Sequence, residues 1–304
     1  MTSLSFALVT PSLNQAVFLR EAIDSVLSQQ VAALDYIVID GGSNDGAQEV
    51  LKTYGSRLKW LSEPDSGQSA AINKGWRHTQ GEIVGWLNSD DRLEPGALEK
   101  VGAFFEAHPQ VDLVYGDCDY INASGKVTGK YPVQPYDYTR LVVQAKNYIP
   151  QPATFFRQTL LTRLGLLDET LHFGMDYDYW LRAGLGHPAA YLPGCLAALR
   201  LHGGAKSIAQ LGKFAAENVR IFERLLARTD LPADVQQQRI QALSNVYHRA
   251  ADNSFWAGAL GQARGFAWQA WLYQPLRPRS LWLWLLMGRS GRRWAERLYG
   301  NPYL

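Results

Sequence analysis

The sequence predicts an α/β domain with a doubly wound, mostly parallel sheet flanked by helices, followed by a helical C-terminal extension. From residue 4 to about 117, short apolar segments alternate with helix-period segments, which is typical of parallel strands joined by crossover helices. Polar residues follow four of these strands, and the pattern becomes wholly helical after about residue 206. We therefore expect a ligand site at the carboxyl edge of the sheet.

The composition describes a globular protein of 304 residues that can bury a sizeable core. Hydrophobic residues make up 47% and charged residues 19%, which excludes a disordered chain. The net charge of +2 argues against nucleic-acid binding. Two distant cysteines, Cys118 and Cys195, indicate neither a disulfide framework nor a zinc cluster. The first residues lack the pattern of a secretory signal, and the longest strongly apolar run, 281–287, is too short to span a bilayer, so we expect a cytoplasmic protein.

Five strands and four helices are predicted in the first half of the domain, residues 1–117, from the period of their apolar positions. The strands are expected at 4–10, 36–39, 58–61, 83–87 and 111–115. The helices between them are expected at 18–29, 47–54, 68–78 and 96–107.

The second half of the domain, residues 118–206, combines a hairpin with shorter elements. The hairpin is expected to turn at 122–125 and to return over 127–131, and a proline- and tyrosine-containing loop follows. Next are expected a strand at 149–156, a short helix around 160–164, a helix over 174–182 and a strand at 195–201. The region 207–304 is expected to be helical at 209–227, 233–251 and 259–273.

Acidic and amide side chains follow four of the predicted strands, at the edge where open α/β sheets bind ligands. The segments are 10–14, 40–46, 63–68 and 88–91. Asp40 directly follows an apolar strand, where its carboxylate either accepts hydrogen bonds from a base or ribose or forms an Asx turn. The glycine fingerprints of dinucleotide sites and P-loops do not occur in these segments. Four loops at one edge can share one ligand of another kind.

Two pairs of aspartates are candidate functional residues. Asp90 and Asp91 end a buried strand, where adjacent carboxylates repel each other. They either bind a divalent cation with its anionic ligand or belong to a polar turn before the next helix. Asp176 and Asp178 begin a predicted helix, whose dipole favours their ionised form. Either one faces a cleft while the other pairs with Arg182, or both are first-turn residues.

The C-terminal tail combines tryptophan with arginine. Six of the ten tryptophans lie between positions 256 and 294, and Glu296 is the single acid in 276–297. A basic helix rich in tryptophan suits the interface of an anionic membrane. Alternatively, the tryptophans pack on the main domain or on a partner subunit.

Seven motifs, by their order and spacing, resemble the inverting family 2 glycosyltransferases with the GT-A fold, of the kind that assembles bacterial surface polysaccharides. The resemblance covers about residues 5–206. The motifs lie at 9–14, 39–46, 63–75, 87–91, 151–156, 175–182 and 200–207.

The resemblance implies a UDP-, dTDP- or GDP-linked sugar as donor and a saccharide or lipid-linked acceptor. It implies that Asp40 binds the nucleotide base, with Thr10, Pro11 and Asn14 lining the same pocket and Asp65 completing it. Further donor-binding residues implied in the same way are Gln68, Asn73, Asn88, Ser89, Asp90 and Lys206.

The resemblance also implies a metal and a base. The segment from Asn88 to Asp90 matches the DxD motif, whose last acid, with Asp91 beside it, helps to hold Mg²⁺ or Mn²⁺ against the donor diphosphate. His202 resembles a residue that completes the metal or diphosphate site in relatives. Asp176 lies where the family has its catalytic base, which deprotonates the acceptor hydroxyl during an inverting displacement.

This sequence departs from the family pattern at two positions. Asn88 replaces the first acid of the DxD motif, so the metal contact is expected to rest on Asp90, Asp91 and His202. Met175 replaces the acid before the base, which removes a helper carboxylate and leaves the base in place.

We predict a metal-dependent inverting glycosyltransferase of cell-surface polysaccharide biosynthesis. One alternative is a sugar-nucleotide-binding module of the same fold without turnover, which Asn88 and Met175 support. Another is a nucleotidyltransferase, for which a glycine-rich, basic phosphate loop is expected after the first strand. Residues 10–14 contain neither glycine nor a basic residue, which argues against this reading.

Overall fold

The computed structural model describes residues 3–203 and 211–275. The chain forms two compact units. The first unit runs up to Tyr136 and continues over Tyr148–His202, and the second comprises Asp137–Asn147 and the residues from Gly203 onward. The boundary predicted at residue 206 lies outside the described residues.

The first unit contains all the described strands. They are β1 Ser5–Ser12, β2 Ala33–Asp40, β3 Lys59–Ser62, β4 Ile83–Trp86, β5 Arg92–Leu93, β6 Leu113–Ile121, β7 Val127–Lys130, β8 Thr154–Arg157 and β9 Ala189–Arg200. The helices, numbered in chain order so that α5 belongs to the second unit, are α1 Ala16–Leu27, α2 Ala47–Lys52, α3 Gln68–His78, α4 Ala97–Ala107, α6 Gln158–Leu164 and α7 Met175–Ala183. The predicted α/β class is confirmed.

The strands form one curled sheet in the order β3-β2-β1-β4-β8-β6-β9-β5, with β7 beside β6. The four strands β3-β2-β1-β4 are parallel. Beyond them the sheet is mixed, because β8 runs antiparallel to β4 and β6, whereas β6 and β9 are parallel. The carboxyl ends of β1 to β4 therefore share one edge, which brings the four predicted polar segments together.

Several strands differ from the sequence prediction, and β5 was not predicted. The strand predicted at 149–156 begins only at Thr154, because Gln151–Ala153 form a 3₁₀ turn with Pro152 near its start. The last strand begins at Ala189, earlier than predicted from its apolar run. A register shift after Gly116 lets β9 remain paired with β6 across its Pro-Gly dipeptide at 193–194.

Helix α3 lies unusually close to the sheet. A Cβ atom at Gly75 would lie 2.3 Å from Cγ1 of the buried Val9 on β1, so only glycine permits this approach. The N-terminus of α3 is thereby held against the edge where the four parallel strands end.

The second unit is helical, as predicted. Its helices are α5 Tyr138–Val143, α8 Leu211–Leu226, α9 Ala233–Gln237, α10 Arg239–Trp256 and α11 Leu260–Tyr273. The sequence predicted a loop where α5 forms; Asp137 caps α5 by accepting a hydrogen bond from the Arg140 N–H at 2.8 Å. The single helix predicted at 233–251 is divided at Gln238 into α9 and α10. Within the described residues, every helix is too short or too polar to cross a bilayer.

Candidate active site

Hydrogen bonds join the loops that follow β1 and β2 into one surface. The Gly41 N–H donates to the Ser12 carbonyl at 2.8 Å. The Asn14 N–H donates to Ser43 Oγ at 2.8 Å, and Asn14 Oδ1 accepts from the Asn44 N–H at 3.0 Å. Asn14 has a φ of 54°, a left-handed conformation that asparagine tolerates better than most residues. Asn14 therefore bridges the two loops and lies exposed at the predicted donor site.

Asp40 is buried at the end of β2. Its Oδ1 accepts from Ser43 Oγ at 2.5 Å, and its Oδ2 accepts from the Ser43 N–H at 3.0 Å and from Ser62 Oγ at 2.6 Å. Asp40 therefore forms the Asx turn that was one of the two interpretations of the sequence. Its hydrogen bond with Ser62 joins the end of β3 to the end of β2. A carboxylate offers about four acceptor positions, so three donors leave room for about one more. The base-binding role of Asp40 stays a prediction.

Asp65 lies directly against the loop that follows Asp40. A Cβ atom at Gly41 would lie 2.8 Å from Asp65 Oδ2, so the two loops are in direct contact here. The carboxylate is exposed, and its Oδ1 accepts from the Gly67 N–H at 2.8 Å. Asp65 therefore lies against the residue that follows Asp40, the residue with which the resemblance groups it in one pocket.

Three other predicted donor-binding residues have side chains inside the fold. Thr10 Oγ1 is buried and lies 2.8 Å from the hydroxyl of Tyr36. Pro11 is buried within β1. Asn73 donates to the Leu167 carbonyl and accepts from the Leu167 N–H, both at 3.0 Å. Asn73 thereby holds the segment that leads to α7, and direct contact of these residues with the donor stays a prediction.

Asn88 lies at the centre of an amide network at the end of β4. Its Oδ1 accepts from Gln68 Nε2 at 2.7 Å, and its Nδ2 donates to Gln151 Oε1 at 2.9 Å and to Asp91 Oδ2 at 3.2 Å. Gln151 is fixed in this orientation because its Nε2 donates to the Trp86 carbonyl at 2.7 Å. An aspartate at position 88 would lose both donated bonds and add a charge beside Asp91. These contacts explain the departure from the family pattern.

Asp90 and His202 form a pair that reaches the surface. His202 Nε2 lies 3.0 Å from Asp90 Oδ2, and their side chains are 12% and 21% exposed. Oxygen and imidazole nitrogen donors suit Mn²⁺, and Mg²⁺ accepts a carboxylate alongside waters and substrate phosphates. A cation bound by these two side chains would keep coordination positions for a diphosphate. This pair therefore fits a divalent cation that is shared with a nucleotide diphosphate.

Asp91, the neighbour of Asp90 in the sequence, has its carboxylate inside the fold. It is buried; its Oδ1 accepts from the Arg200 N–H at 2.9 Å and its Oδ2 from Asn88. Burial, together with the neighbouring carboxylate of Asp90, raises the pKa of Asp91 well above its ordinary value, while the two hydrogen bonds oppose the shift. Ser89, between these acids and Asn88, is also buried. Direct metal contact by Asp91 stays a prediction, and its present contacts orient the turn.

Arg200 anchors the Asp90–His202 pair, and sequence reasoning did not single it out. Its buried guanidinium donates to the Asp90 carbonyl at 2.7 Å, the Asn122 carbonyl at 3.0 Å and Glu21 Oε2 at 2.5 Å. The guanidinium also lies over the ring of Phe18, and the ring centroids of Phe18 and His202 are 4.9 Å apart. The only signal in the sequence is an arginine two residues before His202. Its burial and its partners depend on the tertiary fold.

We expect Arg200→Lys to lower the free energy of unfolding by about 2–4 kcal/mol, because lysine cannot bridge Asp90, Asn122 and Glu21 together. Urea unfolding followed by circular dichroism measures this change. Arg92→Lys is the matched control: Arg92 also pairs with Glu21, at 2.9 Å, but is 26% exposed, so its loss is expected to cost less than about 1 kcal/mol. Equal losses in both variants would contradict the anchoring role of Arg200.

Two contacts join α7 to the first turn of α3 and to the end of β4. Ser69 Oγ, in the first turn of α3 beside Gln68, lies 2.8 Å from Met175 Sδ. The rings of Trp86 and Trp180 stack with centroids 5.6 Å apart and planes at 22°. Trp86 lies two residues before Asn88, and Trp180 lies one helical turn after Asp176. These contacts place the first turn of α7, which carries Asp176, beside the first turn of α3.

The two acids of α7 have different surroundings. Asp178 is buried and pairs with Arg182 at 2.9 Å, which agrees with one of the two interpretations made from the sequence. Asp176 is partly exposed. Burial raises the pKa of Tyr131 well above its ordinary value, and the nearby carboxylate of Asp176 raises it further. Met175 is buried against Ser69, so a carboxylate at position 175 would be desolvated there, which explains the second departure.

A further residue at this edge, His172, was missed by sequence reasoning. A Cβ atom at Gly67 would lie 3.3 Å from His172 Nδ1, so the exposed imidazole packs on the loop that carries Asp65 and Gln68. Lys206 lies outside the described residues. Among residues 3–203 and 211–275, no three His, Cys, Asp or Glu side chains converge as a metal cage.

The mixed sheet, with acids at the carboxyl ends of its parallel strands, defines a GT-A fold. S. aureus TarS 1–349 in complex with UDP-GlcNAc has the same fold, with a TM-score of 0.71 and 16% sequence identity over 95% of this chain and 92% of that one. The mannosyltransferase PcManGT from Pyrobaculum calidifontis, in complex with GDP-Man and Mn²⁺, has a TM-score of 0.62 and 18% identity over 99% and 84% of the two chains.

Residues 7–164 match the sequence profile of Glycosyl transferase family 2, and the chain belongs to this family. An uncharacterized glycosyltransferase of Rickettsia typhi is 28% identical over 184 residues, which are 58% of this chain and 57% of the relative. The chain thus spans little more than half of that relative. A PGL/p-HBAD biosynthesis glycosyltransferase of Mycobacterium bovis is 29% identical over 187 residues, 60% of this chain and 70% of the relative. The family predicted from the motifs is confirmed.

Proposed function

We propose that this protein is an inverting glycosyltransferase that moves a sugar from a nucleotide donor to a hydroxyl group of a saccharide or lipid-linked acceptor. The observation that carries the proposal is the junction of α7 with the end of β4. The contacts Ser69–Met175 and Trp86–Trp180 hold the helix that carries Asp176 against α3 and the end of β4, which supports a place for Asp176 near the Asp90–His202 pair. A base and a diphosphate site at one edge are what a single displacement requires.

In the proposed reaction, Asp176 takes the proton of the acceptor hydroxyl while that oxygen attacks the anomeric carbon. The bond between the anomeric carbon and the diphosphate oxygen breaks, and its electron pair leaves with the nucleoside diphosphate. Attack opposite the leaving group inverts the configuration at the anomeric carbon. Asp176 suits this step because it is partly exposed, whereas Asp178 is committed to Arg182.

The negative charge that develops on the leaving diphosphate must be neutralised. The Asp90–His202 pair is proposed to hold Mg²⁺ or Mn²⁺, and Asp91 and Arg200 orient the pair. When bound, the cation supplies Lewis-acid stabilisation of the departing diphosphate. On the other side, Asn14 and Asp65 form the surface proposed to bind the nucleoside, and the buried Asp40 holds the loop between them through Ser43.

The alternative of a binding module without turnover was based on Asn88 and Met175. Each has a structural reason that does not require loss of activity: Asn88 satisfies Gln151 and Asp91, and Met175 packs on Ser69. Both residues leave Asp176 and the Asp90–His202 pair in place. These contacts favour an active enzyme.

A donor panel tests the proposed function. We expect one or more UDP-, dTDP- or GDP-linked sugars to bind by calorimetry, and to be hydrolysed or transferred in the presence of Mn²⁺. The fold neighbours support the choice of donors, because TarS was captured with UDP-GlcNAc and PcManGT with GDP-Man and Mn²⁺. Binding without any turnover across the panel and a range of acceptors would favour the module; no binding at all would remove the proposal.

We further propose a cytoplasmic location, with the tail bound to the anionic inner face of the membrane and the enzyme acting in surface polysaccharide assembly. The support is the sequence of residues 276–297, with six arginines and one acid, and the exposed Trp268 and Leu272 on α11. In a flotation assay, the full chain is expected to float with vesicles of 30% anionic lipid and not with neutral ones, since about 1 kcal/mol is gained per basic residue. Equal behaviour of the full chain and a chain ending at residue 275 would contradict this.

A further inference from the structure

The proposed catalytic chemistry makes no use of Phe18, a partly exposed residue in the first turn of α1. Its ring centroid lies 4.9 Å from that of His202, with the two planes at 52°. The guanidinium carbon of Arg200 lies 4.8 Å from the same ring centroid. One phenyl ring therefore packs on the imidazole of the Asp90–His202 pair and on the arginine that holds the Asp90 carbonyl.

The backbone that carries Phe18 is fixed at the start of α1. The Ala16 N–H donates to Asp45 Oδ2 at 2.8 Å, which joins this first turn to the loop after β2. Glu21, one turn after Phe18, accepts a hydrogen bond from Arg200 at 2.5 Å. Residues three apart lie on one face of a helix, so Phe18 and Glu21 both face Arg200. The ring of Phe18 is thus a fixed surface beside the cation site.

The imidazole of His202 needs such a surface to keep one orientation. His202 follows the end of β9 at Arg200, and its Nε2 lies 3.0 Å from Asp90 Oδ2. The last torsion angle of a histidine side chain has broad, roughly twofold preferences, so it does not by itself decide which ring atom faces Asp90. Packing on a second aromatic ring restricts this rotation, because aromatic pairs have preferred geometries.

We propose that Phe18 is a positioning residue, which holds the His202 imidazole with Nε2 toward Asp90 so that both side chains can bind one divalent cation. The same ring packs on Arg200, whose hydrogen bond to the Asp90 carbonyl fixes the other half of the pair. Groups that orient a metal-binding histidine change metal affinity by about 10- to 100-fold. Phe18 lies outside the seven motifs. This inference rests on the proposed function and adds a residue that prepares its cation site.

The chain offers a matched control in a second contact between a phenylalanine and a histidine. The rings of Phe104 and His108 stack with centroids 4.2 Å apart and planes at 19°. Phe104 is partly exposed, as Phe18 is, and lies near the end of α4. Helix α4 leads to the start of β6, which runs parallel to β4, so this contact lies at the sheet edge opposite the cation site. Leucine at position 104 removes the same kind of contact without touching the cation site.

Electron paramagnetic resonance of Mn²⁺ with the full chain and UDP, dTDP or GDP tests the proposal. We expect Phe18→Leu to weaken Mn²⁺ binding about tenfold and to reduce the spin-echo modulation that a bound imidazole nitrogen produces. Phe18→Tyr keeps the ring, so it is expected to bind Mn²⁺ within about twofold of the wild type. Phe104→Leu is also expected to stay within about twofold, with unchanged modulation, because distant sites act independently.

Thermal unfolding without metal separates positioning from stability, since both leucine variants are expected to unfold at a lower temperature than the wild type. If Phe18→Leu binds Mn²⁺ and shows nitrogen modulation as Phe104→Leu does, the ring has only a structural role and the inference is overturned. Equal losses in Phe18→Leu and Phe18→Tyr, or a wild type without nitrogen modulation, would also overturn it. Wild-type Mn²⁺ binding that depends on Phe18, without sugar transfer to any acceptor, would count against the proposed function alone.

Discussion

Asp176→Asn is expected to lower kcat for sugar transfer by about a thousandfold, within the usual contribution of a general base. The amide has nearly the same shape but cannot take the proton of the acceptor hydroxyl. The affinity for the sugar nucleotide is expected to change less than about twofold, since Asp176 acts on the acceptor. Single-turnover transfer, with donor binding followed by calorimetry, measures both quantities.

Asp178→Asn is the matched control, because it makes the same chemical change two residues away on the same helix. Asp178 is buried and pairs with Arg182 at 2.9 Å, so its amide variant is expected to lose about 1–3 kcal/mol of folding free energy. At a temperature where both variants are folded, Asp178→Asn is expected to retain sugar transfer. Wild-type kcat in Asp176→Asn would remove Asp176 as the base, whereas loss in both variants alike would point to a structural effect of α7.

The second large effect concerns the pair whose facing atoms, Asp90 Oδ2 and His202 Nε2, lie 3.0 Å apart. Asp90→Asn and His202→Gln are each expected to weaken Mn²⁺ binding in the presence of nucleoside diphosphate by about 10- to 100-fold or more, since outer-shell changes alone cost that much. Because both side chains are proposed to contact one ion, the double variant is expected to be much less affected than the product of the two losses. Electron paramagnetic resonance of free Mn²⁺ measures binding without relying on turnover.

Thermal unfolding without metal provides the control for this pair. If Asp90 and His202 formed only a structural ion pair, both single variants would lose stability and Mn²⁺ binding would not change. Strictly multiplicative losses in the double variant would contradict a shared ion. Asn44→Asp, which adds a carboxylate at an exposed position near the nucleoside surface, is expected to leave Mn²⁺ binding within about twofold, because exposed charges are strongly screened.

The order of the elements could be predicted from the sequence because apolar period is a local property. The strands at the start of the chain and the helix at 68–78 are found where the apolar positions place them. The residues at which a predicted strand or helix is interrupted were harder to predict. The side chain of Gln151, in the 3₁₀ turn at Gln151–Ala153, is held by the distant residues Trp86 and Asn88, and the division of the helix at Gln238 interrupts an apolar period that continues across it.

The sequence by itself determined the family, the sheet edge that carries the polar loops, and the acids that end its strands. Only the tertiary structure separated acids that look alike in sequence. Asp176 and Asp178 are two residues apart, but one is partly exposed and the other is buried with Arg182. Asp90 reaches His202, whereas Asp91 turns inward to Arg200. The physical reason is that exposure and hydrogen-bond partners, which set the chemistry of a carboxylate, are supplied by segments far away in the chain.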